Sequence, residues 1–268
     1  MSFGGSIYKT DYHVHTYYSD GKAWPEEYIS RAIDAGLSEI GFSDHLTLTG
    51  EQQDWSIKLS LLDEYINRII KLKENENALI VRLGLEVDYF PGKEEEISGY
   101  IAGLPLDYVI GSVHYMEDSS VDLGPEYYEN KDIDMIFEKY FGLVAQAASS
   151  GLFDFMAHPD LVRIFRYHPS HNAEPLYRSL AGQLKKSGVA FEVNTNGMNK
   201  PLRDFYPDRR YLHIFREEGV PVLVNSDAHS PARLGQHFDE AYRLLKKAGF
   251  TEMATYHERK PEMKKFTL

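Results

Sequence analysis

The chain has 268 residues, 43% of them hydrophobic, with 29 Lys and Arg against 41 Asp and Glu, a net charge of −12 and no cysteine. That length and apolar content suit one globular domain spanning 1–268, and the acidity argues against nucleic acid as a partner, which needs a basic surface. Without cysteine there are no disulfides and no thiolate metal sites, so any metal must be held by His, Asp or Glu.

No apolar run reaches the roughly 18 residues of a membrane span, and the N-terminal MSFGGSIYK lacks the basic-then-apolar form of a secretory leader. The expected setting is therefore the cytoplasm, with no membrane partner; composition leaves the oligomeric state open.

In chain order, apolar strand patterns alternate with helical ones. The first strand is predicted over Ile7–Val14, within the stretch YKTDYHVHTYYSDG. Residues two apart on a strand share a face, so His13 and His15 present two imidazoles side by side, next to a loop carrying Asp20. A helix is predicted over Pro25–Ala35, opened by Pro25 with Glu26 and Glu27 in its first turn. Strands at Glu39–Phe42 and Leu79–Val87 bracket a helix over Leu59–Glu74, where Leu, Ile and Tyr recur at helical spacing. Strands at Tyr108–Val113, Asp154–Ala157, Ala190–Asn194 and Pro221–Asn225 then alternate with helices at Asp132–Ser149, Glu174–Lys186, Asp208–Glu218 and Phe238–Lys247. Gly36, Gly151, Gly188, Gly219 and Gly249 each stand just past a helical pattern, where a left-handed cap is expected. The tail HERKPEMKKF is basic and reads as a solvated end.

Repeated βα units imply a parallel sheet with helices outside. The length favours an α/β barrel of TIM-like type, closed or nearly closed, over an open sheet. No Gly-x-Gly-x-x-Gly follows any strand, which weakens a dinucleotide-binding reading. In such barrels chemistry sits at the C-terminal ends of the strands.

Each predicted strand ends in or just before a residue able to bind a metal: His13 and His15, then Asp44 and His45, Glu86, His114, His158, Glu192, and Asp227 with His229. Six of the eleven histidines stand at these ends, where a surface histidine has no reason to gather. A strand-end carboxylate such as Glu192 can instead orient an arginine or an imidazole, and Asp44 points away from His45 along an extended chain. Ligands drawn only from His, Asp and Glu suit Zn²⁺, Fe²⁺ or Mn²⁺. Six imidazoles and at least three carboxylates exceed the shell of one ion, so two or three divalent ions are expected, with Glu86 placed to bridge. Such a site suits phosphate ester hydrolysis.

These residues resemble the motifs of the PHP (polymerase and histidinol phosphatase) superfamily: His13-Val14-His15 with Ser19-Asp20-Gly21, Ser43-Asp44-His45, Glu86, His114, His158-Pro159 and Ser226-Asp227-Ala228-His229, in order over almost the whole chain. The flanking GLEVDY, GSVHY, AHPDL, FEVNT and NSDAH look most like the histidinol-phosphate phosphatase branch. The resemblance implies a distorted (β/α)7 barrel with a trinuclear site. It would assign His13, His15, Glu86 and Asp227 to one ion, Glu86, His114 and His158 to a second, and Asp20, His45 and His229 to a third. Glu86, Asp227 and His229 would stand at the reacting centre. A hydroxide between the first two ions would attack phosphorus in line, giving L-histidinol and phosphate in histidine biosynthesis; the alternative within the superfamily is another small phosphate or a nucleotide end. Two positions depart from the branch: Asp20, where many relatives carry histidine, and Asn199, where an arginine is expected.

A phosphate monoester also needs cationic partners. Arg163, five residues past His158, is the first candidate, because a guanidinium holds two phosphate oxygens at once; Arg233, Lys200 and Arg203 follow. Tyr17, Tyr18, Tyr115 and Asp160 are candidates for a wall facing the amine and imidazole of histidinol. His168 and His171 read as a solvated loop, and His213, His237 and His257 as surface residues.

Overall fold

The computed structural model describes residues 8–48, 53–117 and 119–266. Seven parallel strands pair in sequence order: β1 (Thr10–Asp11), β2 (Glu39–Phe42), β3 (Ile80–Asp88), β4 (Tyr108–Ser112), β5 (Phe155–Met156), β6 (Ala190–Asn194) and β7 (Val222–Asn225). The register runs Thr10 to Glu39, Glu39 to Ile80, Glu86 to Ile110, Ile110 to Phe155, Phe155 to Ala190 and Phe191 to Val222. The sheet closes on itself between its first and last strands. The His15 N–H donates to the Ala228 carbonyl at 2.9 Å and the Ala228 N–H to the His13 carbonyl at 3.0 Å.

β1 is shorter than the Ile7–Val14 strand predicted, and Ile7 itself lies outside the described residues. Past Asp11 the backbone finds irregular partners, which ends regular pairing. The Tyr12 N–H donates to Asn225 Oδ1 at 2.9 Å and the Ser43 N–H to the Val14 carbonyl at 2.9 Å.

The helices outside are α1 (Pro25–Asp34), α2 (Leu62–Asn75), α3 (Glu94–Ile101), α4 (Ile133–Ser149), α5 (Glu174–Ser187), α6 (Leu212–Glu218) and α7 (Phe238–Lys247). Glu27 accepts from the Trp24 N–H at 2.6 Å, tying down the start of α1, and Gly188 and Gly219 end α5 and α6 in the left-handed conformation. α3 is an addition to the predicted set. No helix among the described residues is long and apolar enough to cross a membrane.

The tail, residues 257–266, is solvated along most of its length, as predicted, but it is built into a strand. Residues Glu252–His257 (β8) and Lys260–Lys265 (β9) form an antiparallel hairpin. It buries Met253, Ala254 and Tyr256, and beyond it Phe266 is buried too. The basic composition belongs to the outward side chains, while the inward ones floor the barrel. Tyr12, Tyr108, Phe155 and Tyr256 stack in succession with ring centroids 4.9, 5.8 and 5.8 Å apart. Tyr108 fits because Gly41 and Gly84 lack side chains: a Cβ at either would fall 2.2 or 2.3 Å from its ring or hydroxyl. Removing the last ring of the stack, Tyr256→Ala, is expected to lower unfolding free energy by about 3–5 kcal/mol, read as a shift in the urea midpoint. The native fraction should keep full activity, because the floor is at the opposite end from the strand termini that carry the candidate ligands.

Candidate metal centre

All nine residues expected to hold metal meet at the C-terminal mouth of the barrel. Glu86, from the middle of the sheet on β3, is at the centre. Its Oε2 lies 2.8 Å from His45 Nδ1, 3.0 Å from His13 Nε2 and 3.5 Å from His15 Nε2. Its Oε1 lies 3.1 Å from His158 Nε2 and 3.8 Å from His114 Nε2. Asp227 Oδ1 is 3.3 Å from His15 Nε2 and 3.5 Å from His229 Nδ1, and Asp20 reaches His229 Nε2 at 3.2 Å and His45 Nε2 at 3.8 Å. Two of these residues are held in a backbone conformation rare for their type, with φ of +24° at His158 and +49° at Asp227. Strain of this kind gathers at functional sites.

Three sets of donor atoms each lie within 4.8 Å of one another: His13, His15 and Glu86; His45, Glu86 and His114; and His15, Asp20, His45 and His229. The grouping differs from the one the resemblance implies, since His15 and His45 each belong to two sets, the two ring nitrogens of His45 facing Glu86 and Asp20.

The donors fit divalent ions on a physical ground. His13 Nε2, both nitrogens of His15, Glu86 Oε2 and Asp20 Oδ1 are buried with no hydrogen-bond partner. A fold rarely leaves so many polar atoms unpaired in one place, and a cation satisfies acceptor lone pairs that protein groups do not. The charges agree. Burial, then the neighbouring His45 and His229, push His15 down to about 3, so its ring is neutral and one nitrogen offers a lone pair. Burial alone would raise Glu86 and Asp227; His13 and His45 around the first, and His13, His15 and His229 around the second, instead hold both carboxyls well below their usual range.

A second layer aims the ligands. Glu192 accepts from His13 Nδ1 at 3.0 Å and from the His158 N–H at 3.0 Å, and Asn225 and Asn194 donate to it at 2.8 and 2.7 Å. It therefore orients imidazoles, the alternative role noted for it. Asp44 turns away from His45 and gathers the loop after β1, accepting from the Thr16 and Ser19 N–H groups and both hydroxyls. Two orienting residues escaped the sequence reading. Asp88 pairs with His114 Nδ1 at 2.7 Å; its signal was its place two residues past Glu86 on the same strand face. Asp11, buried and pushed up to about 7 by that burial, accepts from the Ser226 N–H and hydroxyl and the Gly235 N–H, anchoring the segment before Asp227. Asp88→Asn is expected to cut kcat/KM and metal affinity by about 10–100-fold, checked by steady-state kinetics and metal titration; parity with the wild type in both would refute the role of Asp88.

Over the cluster lies a cavity of about 240 Å³, walled also by Trp55, Tyr115, Ser120, Asp122, Leu123, Leu161, Lys200 and Tyr206. Of the four cationic candidates Lys200 alone lines it. Arg163, the first choice, is buried in a cage of carboxylates, 2.8 Å from Asp160, 3.4 Å from Asp204 and 3.5 Å from Asp208. These partners stand on two separate segments, so their convergence could not be read locally. Arg203 is exposed and donates to the Met198 carbonyl. Arg233 is exposed and donates to Asn199 and Gln236. Of the outer-wall candidates Tyr115 is in place, Tyr17 is half exposed, Tyr18 donates to Glu64, and Asp160 is buried against Arg163. Trp55 and Asp122, not singled out from sequence, complete that wall; Trp55 stacks on Tyr115 at 6.4 Å. His168 and His171 line a different cavity, beside Arg163 and Arg210.

Residues 11–196 match the PHP domain family. The chain is 36% identical over 261 residues to a protein of Deinococcus radiodurans described as a probable histidinol-phosphatase, covering 93% of this chain and 97% of that one. It is 26% identical to the histidinol-phosphatase of Bacillus subtilis, over 86% and 97% of the two chains. Among solved structures it is similar to the histidinol phosphate phosphatase of Lactococcus lactis in complex with zinc, L-histidinol and phosphate. That likeness has a TM-score of 0.82 and 28% identity and covers 96% of this chain and 100% of that one.

Proposed function

The chain belongs to the PHP domain family, and from that premise we propose that it hydrolyses L-histidinol phosphate to L-histidinol and phosphate with the help of bound divalent ions. The observation that carries this is the position of Glu86: one carboxylate faces two separate sets of imidazoles, His13, His15 and His45 through Oε2 and His158 and His114 through Oε1. That is the arrangement needed to hold more than one ion.

When bound, the ions supply a water of lowered pKa and positive charge against the phosphoryl oxygens. The chain does the rest. Glu192 and Asp88 fix the rings of His13 and His114, so their outward nitrogens stay aimed at the centre. Lys200 brings an ammonium group to the cavity wall and binds the phosphoryl group. Asp122, with Trp55 and Tyr115, faces the amine and imidazole end, where a carboxylate and aromatic faces hold cations.

Lys200→Ala is therefore expected to raise KM for a phosphomonoester about tenfold or more, the loss of one charged hydrogen bond, with a smaller change in kcat. The test of the whole reading is phosphate release from a panel of phosphomonoesters by Zn²⁺- or Mn²⁺-loaded protein. A kcat/KM for L-histidinol phosphate well above that for sugar phosphates and nucleotides is the expected result. Equal or better turnover of one of those would overturn the substrate assignment.

A further inference from the structure

One polar group in the cavity wall has no role so far. Tyr206 is 2% exposed, and its hydroxyl is buried with no hydrogen-bond partner. The side chain cannot swing to find one. The backbone is pinned on both sides, its carbonyl accepting from the Asn194 N–H at 2.7 Å and its N–H donating to the Asn194 carbonyl at 3.1 Å. The ring stands edge-on to His158 with centroids 6.2 Å apart, and it is packed so closely on Gly197 that a Cβ there would come within 2.9 Å of it. A phenol hydroxyl has one hydrogen to donate.

A buried donor left unpaired destabilises a fold unless something else occupies it. Tyr206 borders the same cavity as Lys200, and both belong to the segment that follows β6. Unprotonated phosphoryl oxygens accept hydrogen bonds, which matches a hydroxyl donor and an ammonium group on the wall of one cavity. We propose that the Tyr206 hydroxyl donates a hydrogen bond to a phosphoryl oxygen of the bound monoester and of product phosphate, acting with Lys200 as the non-metal part of the phosphate site. This rests on the phosphatase reading above, although not on which monoester is cleaved.

The competing account is an internal water. Asp160 Oδ1 and Arg163 Nε are also buried and unpartnered, and a water shared with Tyr206 would satisfy all three. Tyr206→Phe separates the two, because it keeps the ring and removes only the oxygen. In the full-length metal-loaded protein the measurements are urea unfolding, bound metal per chain, kcat and KM, and inhibition by inorganic phosphate.

The proposal expects metal content to stay the same and stability to stay equal or rise, since an unpaired hydroxyl is lost. Phosphate inhibition should weaken about tenfold and kcat/KM should fall about 10–100-fold. The thermal stabilisation that added phosphate gives the wild type should shrink in step. Phosphate inhibition and kcat/KM within twofold of wild type would overturn it, whether stability is unchanged or drops as the loss of a structural water predicts. Because inorganic phosphate is the probe, weakened inhibition of the variant together with poor turnover of L-histidinol phosphate by the wild type would uphold Tyr206 while overturning the substrate assignment.

Discussion

Glu86→Gln is expected to lower kcat by about a thousandfold or more and to reduce bound metal per chain. The substitution is nearly isosteric and fully buried, so the barrel should persist. The chemistry changes completely. One oxygen becomes an NH₂ that points donor hydrogens where His13, His15 and His45, or His158 and His114, now face an acceptor. The remaining oxygen is neutral and can no longer serve both sets. Elemental analysis beside single-turnover phosphate release checks the prediction. A variant with full metal content and more than a tenth of wild-type kcat would show that the two sets act independently.

Removing the ions should abolish turnover, and restoring Zn²⁺ or Mn²⁺ should recover it. The metal-free chain should also melt several degrees lower, because a ligand that binds only the native state stabilises it by mass action. The return of metal should be coupled to protons. Without an ion, His114 is pulled up to about 10, since burial is outweighed by Asp88 and Glu86 beside it, and His13 and His45 are also raised by their carboxylates. His114 therefore holds a proton at neutral pH and must release it before binding, and the upward shifts of His13 and His45 act in the same direction. The sign follows: apparent affinity should rise with pH, by roughly tenfold per unit for each proton released. Calorimetry of metal binding in buffers of different ionisation enthalpy counts those protons, and a pH-independent affinity would sink the argument.

Much of this centre was legible in the sequence because strand geometry is simple. A strand of period two puts His13 and His15 on one face, and a parallel barrel brings all strand ends to one rim, so residues spread from His13 to His229 gather without any knowledge of contacts. What remained hidden was of other kinds. Glu192 and Asp44 could be marked as carboxylates of the rim, yet their partners depend on side-chain directions that spacing does not specify. The cage around Arg163 joins Asp160 to Asp204 and Asp208 across the helix α5 and strand β6, a pairing decided by tertiary approach. α3 carries three glutamates in its first turn and buries only Ile97 and Ile101, too thin an apolar stripe to stand out. The hairpin was concealed by its own surface: four of the six residues of β9 are charged, although four of the six residues of β8 are buried.

That hairpin sets the timetable of folding on the ribosome. Every barrel strand emerges before β8 and β9, and the seam between Val14 and Ala228 joins segments more than two hundred residues apart. A nascent chain can therefore not seal the seam before Ala228 has emerged, nor cover the stacked rings of Tyr12, Tyr108 and Phe155 with Tyr256 until β8 has been synthesised. Early units can form helices and local pairs, but the aromatic floor stays open to solvent and to chaperones throughout elongation. Closure of the barrel is for this chain a late event, and covering of its floor by Tyr256 a later one.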